Sequence, residues 1–434
     1  MDQLAARVLR HRATGVISIA GAALVLIGSA AHAAIKIYQS GETEDFSYFY
    51  HGAQAMLAGE DIYSATRGRY LYPPLLAFVL QPLALLPEQL AGVIWAGLTA
   101  VLLALAMLIA AREACRRWNP DAGRAAIATT AAIPLLLFGE KIHGIFTLGQ
   151  TDAIMLLGFA CVLRWIKDKP LLAGFVVGLT ANVKYLSLIF VPYFIWKRNY
   201  RAALASGVAF AAFILLPAIE IGLSQSAQFI TGAFGGLTKM MGFGGAKGGA
   251  AIFGVDWPRS ISITSAVFRF TRSLGIDDVW AVGLIAVICA AILAAMLLIA
   301  RRCSVRIFSR DDAQPAVAAL EWAVLVFAAV AFSPQTTARH LAFIVLAFVI
   351  AIAVLRAADT TRASTALAAA MALTLFGLST PWRALGLGDF MVTWRNVAGA
   401  TWCALLMILA LVWCGCCVLR RRFDQRAAAT WRPD

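Results

Sequence analysis

The chain has 434 residues, of which 61% are hydrophobic and only 14% charged, against about 45–50% and 25% in soluble domains. So much apolar material with so few charges excludes a soluble globular protein. The net charge of +14 does not point to nucleic acid, because the arginines and lysines stand in short clusters between apolar runs and not on one soluble domain.

Those apolar runs are roughly 15–24 residues long, near the length that crosses a bilayer core of about 30 Å. Backbone in lipid must satisfy its own hydrogen bonds, which leaves helices or a closed barrel. The runs are apolar throughout and lack a barrel strand's alternation, so the expected class is an all-α, polytopic membrane protein.

At the N-terminus Arg7, Arg10 and Arg12 precede the apolar stretch Val16–Ala34. A cleaved signal peptide competes here, but the stretch is long for a signal core. An uncleaved first span running outward is expected. The polar region Lys36–Arg69 follows, and the first outer loop is placed at about 37–74. Pro73, Pro74, Pro82 and Pro87 then predict a short or interfacial helix at Leu75–Leu86, before a span at Leu90–Ala111. Arg112, Arg116, Arg117 and Arg124 mark the cytoplasm; Ala125–Phe138 leads out and Gln150–Ile166 returns.

Leu171–Trp196 is too long for one ordinary span and too short for two. With Asn182 and Lys184 at its middle, it reads as two short helices meeting within or near the outer leaflet. Ala202–Ile221 leads to the longest outer region, Gly222–Val279. Spans at Trp280–Ala300, Ala316–Phe332, Leu341–Leu355, Ala363–Ser379 and Val397–Leu419 complete about twelve crossings in one domain over 1–434. Most of the 37 Lys and Arg then fall inside, as the positive-inside rule requires, with both termini cytoplasmic. None of the eight cysteines falls in a predicted outer loop, so no disulfide framework is expected.

The outer end of the first span reads Glu42-Thr-Glu44-Asp45-Phe-Ser-Tyr48-Phe-Tyr50-His51. A carboxylate among aromatic rings at a lipid surface gains basicity by desolvation and suits general-base catalysis; a solvated loop with an aromatic belt is the plainer reading. Glu42, Glu44 and Asp45 could together hold a divalent ion, although no metal or other cofactor is indicated. Tyr63, Tyr70 and Tyr72, with Pro73 and Pro74, suit a rigid interfacial elbow.

Lys184 is the most informative single charge. A lysine in mid-helix costs about 2.5–3.5 kcal/mol on insertion scales, and intramembrane ionisable residues usually face a cavity. A lipid phosphate is its natural partner, with snorkelling to the surface as the alternative. Arg339 offers a planar fork for phosphate and the adjacent His340 can move protons. Lys141, His143, Gln150 and Asp152 form a third polar cluster on the same face, and three such clusters favour one shared site. Gly232–Gly249, with its eight glycines, reads as either a substrate-gating lid or a plain linker.

The series Asp45…Tyr48…Gly59…Tyr63…Tyr72-Pro-Pro74…Leu86-Pro87…Trp95, then Gly149-Gln150…Gly174…Gly178…Lys184 and Ser333-Pro334…His340, resembles glycosyltransferase family 87. These are polyprenyl-phosphate-sugar-dependent membrane glycosyltransferases of GT-C type, related to mycobacterial phosphatidylinositol mannoside mannosyltransferases. The resemblance implies inverting transfer of mannose or another hexose or pentose on the extracytoplasmic side of the bacterial cytoplasmic membrane. The acceptor would be a lipid or glycan, with Asp45 as catalytic base. Lys184, Arg339 and His340 would stabilise the leaving phosphate, and Gln150, Tyr48, Tyr63, Tyr72, Lys141 and His143 would line the substrate site. Asp152 departs from the Asn that relatives often carry after Gly-Gln, and Arg339 from a second His in some. A transporter or flippase is the competing class; it would show broken helices in corresponding halves, and the sequence offers one such break.

Overall fold

The computed structural model describes residues 12–40, 44–240, 253–310, 314–359, 361–378 and 385–430. Every regular element among them is helical. In chain order they are α1 Arg12–Ser40, α2 Glu44–Leu57, α3 Ile62–Ala65, α4 Leu75–Ala84, α5 Glu88–Trp118, α6 Arg124–Leu137, α7 Gly139–Leu148, α8 Asp152–Trp165 and α9 Pro170–Ala181. A 3-10 turn at Tyr185–Ile189 leads to α10 Phe190–Trp196, α11 Tyr200–Leu215, α12 Ala218–Met240, α13 Ile263–Ser273, α14 Asp278–Arg302 and α15 Pro315–Ala331. A second 3-10 turn at Ala338–Phe343 leads to α16 Ile344–Ala357, α17 Arg362–Leu378, α18 Gly388–Asn396 and α19 Gly399–Thr430.

Five helical segments are long and apolar enough to cross a membrane: Ala13–Gln39, Glu88–Trp118, Asp278–Arg302, Ala338–Ala357 and Gly399–Gln425. The number rises to seven if two bent pairs each count as one span: α6 with α7, bent by 72°, and α11 with α12, bent by 98°. The expected twelve crossings are not reached by this measure. Several predicted spans contain apolar helices of 10–17 residues, α9, α15 and α17 among them, shorter than the roughly 20 residues a perpendicular crossing needs, while α4 is a short helix as expected. The chain is thus a helical, multi-pass membrane protein with broken and shortened helices.

Leu171–Trp196 does divide at the predicted place. α9 ends at Asn182, whose Nδ2 donates to the carbonyls of Gly178 (2.9 Å) and Phe210 (3.2 Å), and Lys184 then takes an extended conformation. Gly174 and Gly178 let α9 lie directly on α11, since a Cβ at either would overlap the backbone carbonyls of Ala202 or Ser206. Small residues at this spacing are how membrane helices approach closely.

The spans differ greatly in burial. In α14 only 6% of the most apolar window is buried, while 78% is buried in the segment that contains α16. α16 is therefore the central helix of the bundle, and the turn carrying Arg339 and His340 caps it. A separate aromatic cluster of Phe46, Phe49, Tyr50, Ile62, Tyr63, Tyr70, Leu76, Trp95 and Phe229 packs α2, α3 and α4 against the start of α5, beside that cap. Of the glycine-rich stretch, 241–249 lie outside the described residues, and the part up to Met240 is the end of α12.

Candidate active site

Asp45 stands in the first turn of α2, where the helix's free N–H groups favour an acidic side chain. The aromatic cluster fixes this helix: Phe46 stacks on Trp95 with centroids 5.5 Å apart, and Trp95 Nε1 donates to the Gly149 carbonyl at 3.0 Å. Gly149 ends α7 in a left-handed conformation (φ 66°), and a Cβ there would run into Phe46. Only glycine meets both demands. This tight turn delivers Gln150 and Asp152 beside Asp45.

Gln150 Nε2 donates to Asp45 Oδ2, and Arg339 Nη1 donates to the same oxygen at 3.1 Å. From its other end, Gln150 Oε1 accepts from Lys184 Nζ at 3.4 Å. Lys184 is ion-paired to Asp152 Oδ1, and its Nζ lies 3.4 Å from His340 Nε2. One connected cluster thus joins five residues the sequence singled out, Asp45, Gln150, Lys184, Arg339 and His340. The side chains at its mouth, Asp45 and Arg339, are 23% and 33% exposed, whereas Lys184 and Asp152 are 12% and 0%.

The tautomer of His340 follows from its capping role. The Thr337 N–H donates to His340 Nδ1 at 3.1 Å, so the neutral ring carries its proton on Nε2. That N–H and the Lys184 ammonium face each other as two donors. Arg339 Nε and Asp152 Oδ2 are buried without a hydrogen-bond partner among the described residues. A cluster with converging donors and orphaned polar atoms is arranged to receive a polar ligand more than to stabilise the fold.

The tyrosines surround this centre in different roles. Tyr72 feels the charges of Lys184, Asp152 and Asp45, and burial raises its phenol above the ordinary range, keeping it a neutral hydroxyl. Tyr63 is a brace: its hydroxyl donates between the carbonyls of Tyr72 and Phe229, each 3.0 Å away. Tyr70, fully buried, donates to the Pro73 carbonyl and accepts from Ala77 N–H. Tyr48 faces the Arg69 guanidinium, 5.7 Å from its ring centroid.

The structure does not bring Lys141 and His143 into this group. Lys141 pairs with Glu140 at 3.1 Å, and His143 Nδ1 lies 3.2 Å from Ser29 Oγ with its ring against His32. Both project from α7 toward other partners, so the third sequence cluster divides, and only its Gln150–Asp152 part joins the site. Glu42 lies outside the described residues.

Sequence reasoning missed the support behind Arg339 and His340. Ser260 Oγ accepts from Thr336 N–H (3.1 Å), Ile261 N–H donates to the Thr336 carbonyl (2.6 Å), and Ser265 Oγ donates to the Pro334 carbonyl (2.9 Å). Three buried serines within six residues, Ser260, Ser262 and Ser265, were the signal available.

The model of glycosyltransferase family 87 matches residues 70–334, well over half of the chain. The chain belongs to glycosyltransferase family 87. The matched stretch contains Tyr72, Gln150, Asp152 and Lys184, while Asp45, Arg339 and His340 flank it. Among curated proteins, the chain is 27% identical over 170 residues to a Mycolicibacterium smegmatis protein named polyprenol-phosphate-mannose-dependent alpha-(1-2)-phosphatidylinositol pentamannoside mannosyltransferase, covering 38% of each chain. It is 28% identical over 188 residues to a Mycobacterium tuberculosis protein named polyprenol-phosphate-mannose-dependent alpha-(1-2)-phosphatidylinositol mannoside mannosyltransferase, covering 40% of this chain and 44% of that one. The chain therefore matches about two fifths of the length of these relatives. No solved structure matches it.

Proposed function

We propose that the protein is an inverting membrane glycosyltransferase that moves a sugar, mannose or another hexose or pentose, from a polyprenyl-phosphate donor to a hydroxyl of a lipid or glycan acceptor. The observation that carries this is the connected cluster in which Asp45 meets Arg339 and Gln150, Gln150 meets Lys184, and Lys184 lies beside His340. Family membership and the names of the relatives supply the reaction class and the lipid-linked donor. The distribution of Lys and Arg supports cytoplasmic termini and an extracytoplasmic site, and the family resemblance supports a bacterial cytoplasmic membrane.

In this reading Asp45 accepts the proton of the acceptor hydroxyl as the acceptor oxygen bonds to the anomeric carbon. The bond from that carbon to the phosphate oxygen breaks, and its electron pair stays on the phosphate. Arg339, Lys184 and the Nε2–H of His340 meet the charge gathering there, the kind of preorganised stabilisation that contributes most to catalysis. Gln150 spans the two ends, donating to the base and accepting from the phosphate-binding lysine.

The test offers purified protein a panel of polyprenyl-phosphate sugars with lipid acceptors and identifies products by mass. Asp45→Asn is expected to lower transfer by about 10²–10⁴-fold, the range for a lost general base, while elution and melting stay those of the wild type. Full transfer by this variant would remove Asp45 from the role of base. A transporter would instead move substrate across vesicles without forming a glycosidic bond.

A further inference from the structure

The proposed mechanism uses Lys184 but gives no work to Asp152, the carboxylate paired with it. Asp152 is fully buried. One of its oxygens, Oδ1, meets Lys184 Nζ, and the other, Oδ2, meets no donor among the described residues. A buried carboxylate with a bare oxygen is a costly way to hold a lysine in place. An amide or hydroxyl would hold it with no added charge.

The charge of the pocket suggests what the carboxylate is for. Lys184 and Arg339 bring two positive charges, Asp45 and Asp152 two negative ones, and His340 is neutral with Nδ1 accepting from Thr337. The charges of these side chains sum to zero. A sugar phosphodiester carries one negative charge, whereas the phosphate monoester left after transfer carries about 1.5–2 at neutral pH, as such monoesters do. A site that holds its product tightly is slowed at product release.

We propose that Asp152 is the counter-charge that keeps the phosphate-binding end of this pocket from retaining its product. This rests on the donor class proposed above. With Asp152 present, Lys184 arrives at the phosphate already neutralised, and the carboxylate repels the more highly charged monoester more than the diester. Without it, Lys184 is a buried cation lacking a counter-ion, and the phosphate monoester becomes the best replacement available. Removal of Asp152 should therefore tighten product binding. A merely structural role has the opposite sign, because a lysine that has lost its anchor binds phosphate less well.

The experiment measures binding to the purified full-length protein in detergent by calorimetry. Farnesyl phosphate serves as the product-like probe and farnesol as its uncharged control. Asp152→Asn is expected to bind farnesyl phosphate at least about tenfold more tightly than the wild type, as loss of a like charge at close range implies, with farnesol affinity unchanged. Farnesyl phosphate should also raise the melting temperature of the variant further than that of the wild type. Equal or weaker binding by the folded variant overturns the proposal. Asp152→Ser carries the same expectation and decides the matter if the asparagine variant does not fold. If neither the wild type nor the folded Asp152 variants distinguish farnesyl phosphate from farnesol, the donor class itself is overturned, separately from the role of Asp152.

Discussion

Two buried lysine–carboxylate pairs, Lys184–Asp152 and Lys197–Glu321, have the same exposure, 12% for each lysine and 0% for each carboxylate, and opposite surroundings. Glu321 lies near the start of α15, and both its oxygens are engaged. Oε1 accepts from Lys197 Nζ at 2.9 Å and from the Phe308 N–H, and Oε2 accepts from the Tyr193 hydroxyl at 2.7 Å. Lys197 is equally well provided for, donating to the Ser309 carbonyl at 2.7 Å and sitting 5.6 Å from the Tyr193 ring centroid. At the other pair, Asp152 leaves an oxygen bare, and Lys184 faces another donor, His340. A satisfied buried pair locks a loop; an unsatisfied one is held ready for something else. Burial alone does not separate the two, but completeness of hydrogen bonding does.

Breaking each pair should therefore give different kinds of loss. The largest effect is expected at the satisfied one. Glu321→Ala strands Lys197, Tyr193 and the Phe308 N–H together, and loss of one partner of a buried pair costs about 3–5 kcal/mol. A large drop in melting temperature should appear, with the specific activity of the remaining folded protein preserved. A variant that stays stable but loses transfer would erase the contrast between the pairs.

The next effect falls on the unsatisfied pair. Replacing both members, Lys184→Met with Asp152→Asn, leaves no stranded charge, and such exchanges are often neutral for stability. Transfer should fall by about 10²–10³-fold, the range for losing one preorganised charge-stabilising group, with melting shifted little. Assaying transfer and melting on one preparation checks both halves, and intact transfer would show that Lys184 does not touch the phosphate.

Much of this site was legible in the sequence, for reasons that can be named. The break around Lys184 showed itself as a length mismatch, 26 residues where a span needs about 20, with a lysine in the middle that lipid would not tolerate. Asp45, Arg339 and His340 stood out as charges at the ends of apolar runs. The pairing was not legible. Asp152 and Lys184 lie 32 positions apart, Gln150 and Asp45 105, and only the left-handed turn at Gly149 and the helices around it set those contacts. Lys141 and His143 were grouped with Gln150 because they are close in sequence, yet α7 turns them toward Glu140, Ser29 and His32. The crossing count was less legible for a related reason. Apolarity marks a helix as membrane-embedded without giving its length, and α9, α15 and α17 are shorter than the roughly 20 residues of a perpendicular crossing.

The smallest expected effect probes the serine clasp, which extends the contrast from the pairs to what holds them. The loop before α16 carries Arg339 and His340, and Ser265 Oγ ties it down through the Pro334 carbonyl at 2.9 Å and Ser260 Oγ at 2.7 Å. Ser265→Ala removes these bonds without adding charge or bulk, a loss of about 1 kcal/mol for a neutral hydrogen bond. Neither Lys184 nor Asp45 depends on this loop for its backbone position, and Gln150 still donates to Asp45, so the base keeps one of its two named contacts while the Arg339–His340 end loosens. The expected signature is a severalfold rise in KM for the polyprenyl-phosphate sugar with kcat changed less, because misplacing a binding group weakens attachment of donor and transition state alike. An equal fall in kcat and in kcat/KM would instead place the Arg339–His340 contacts only in the transition state, and the clasp would then govern chemistry more than binding.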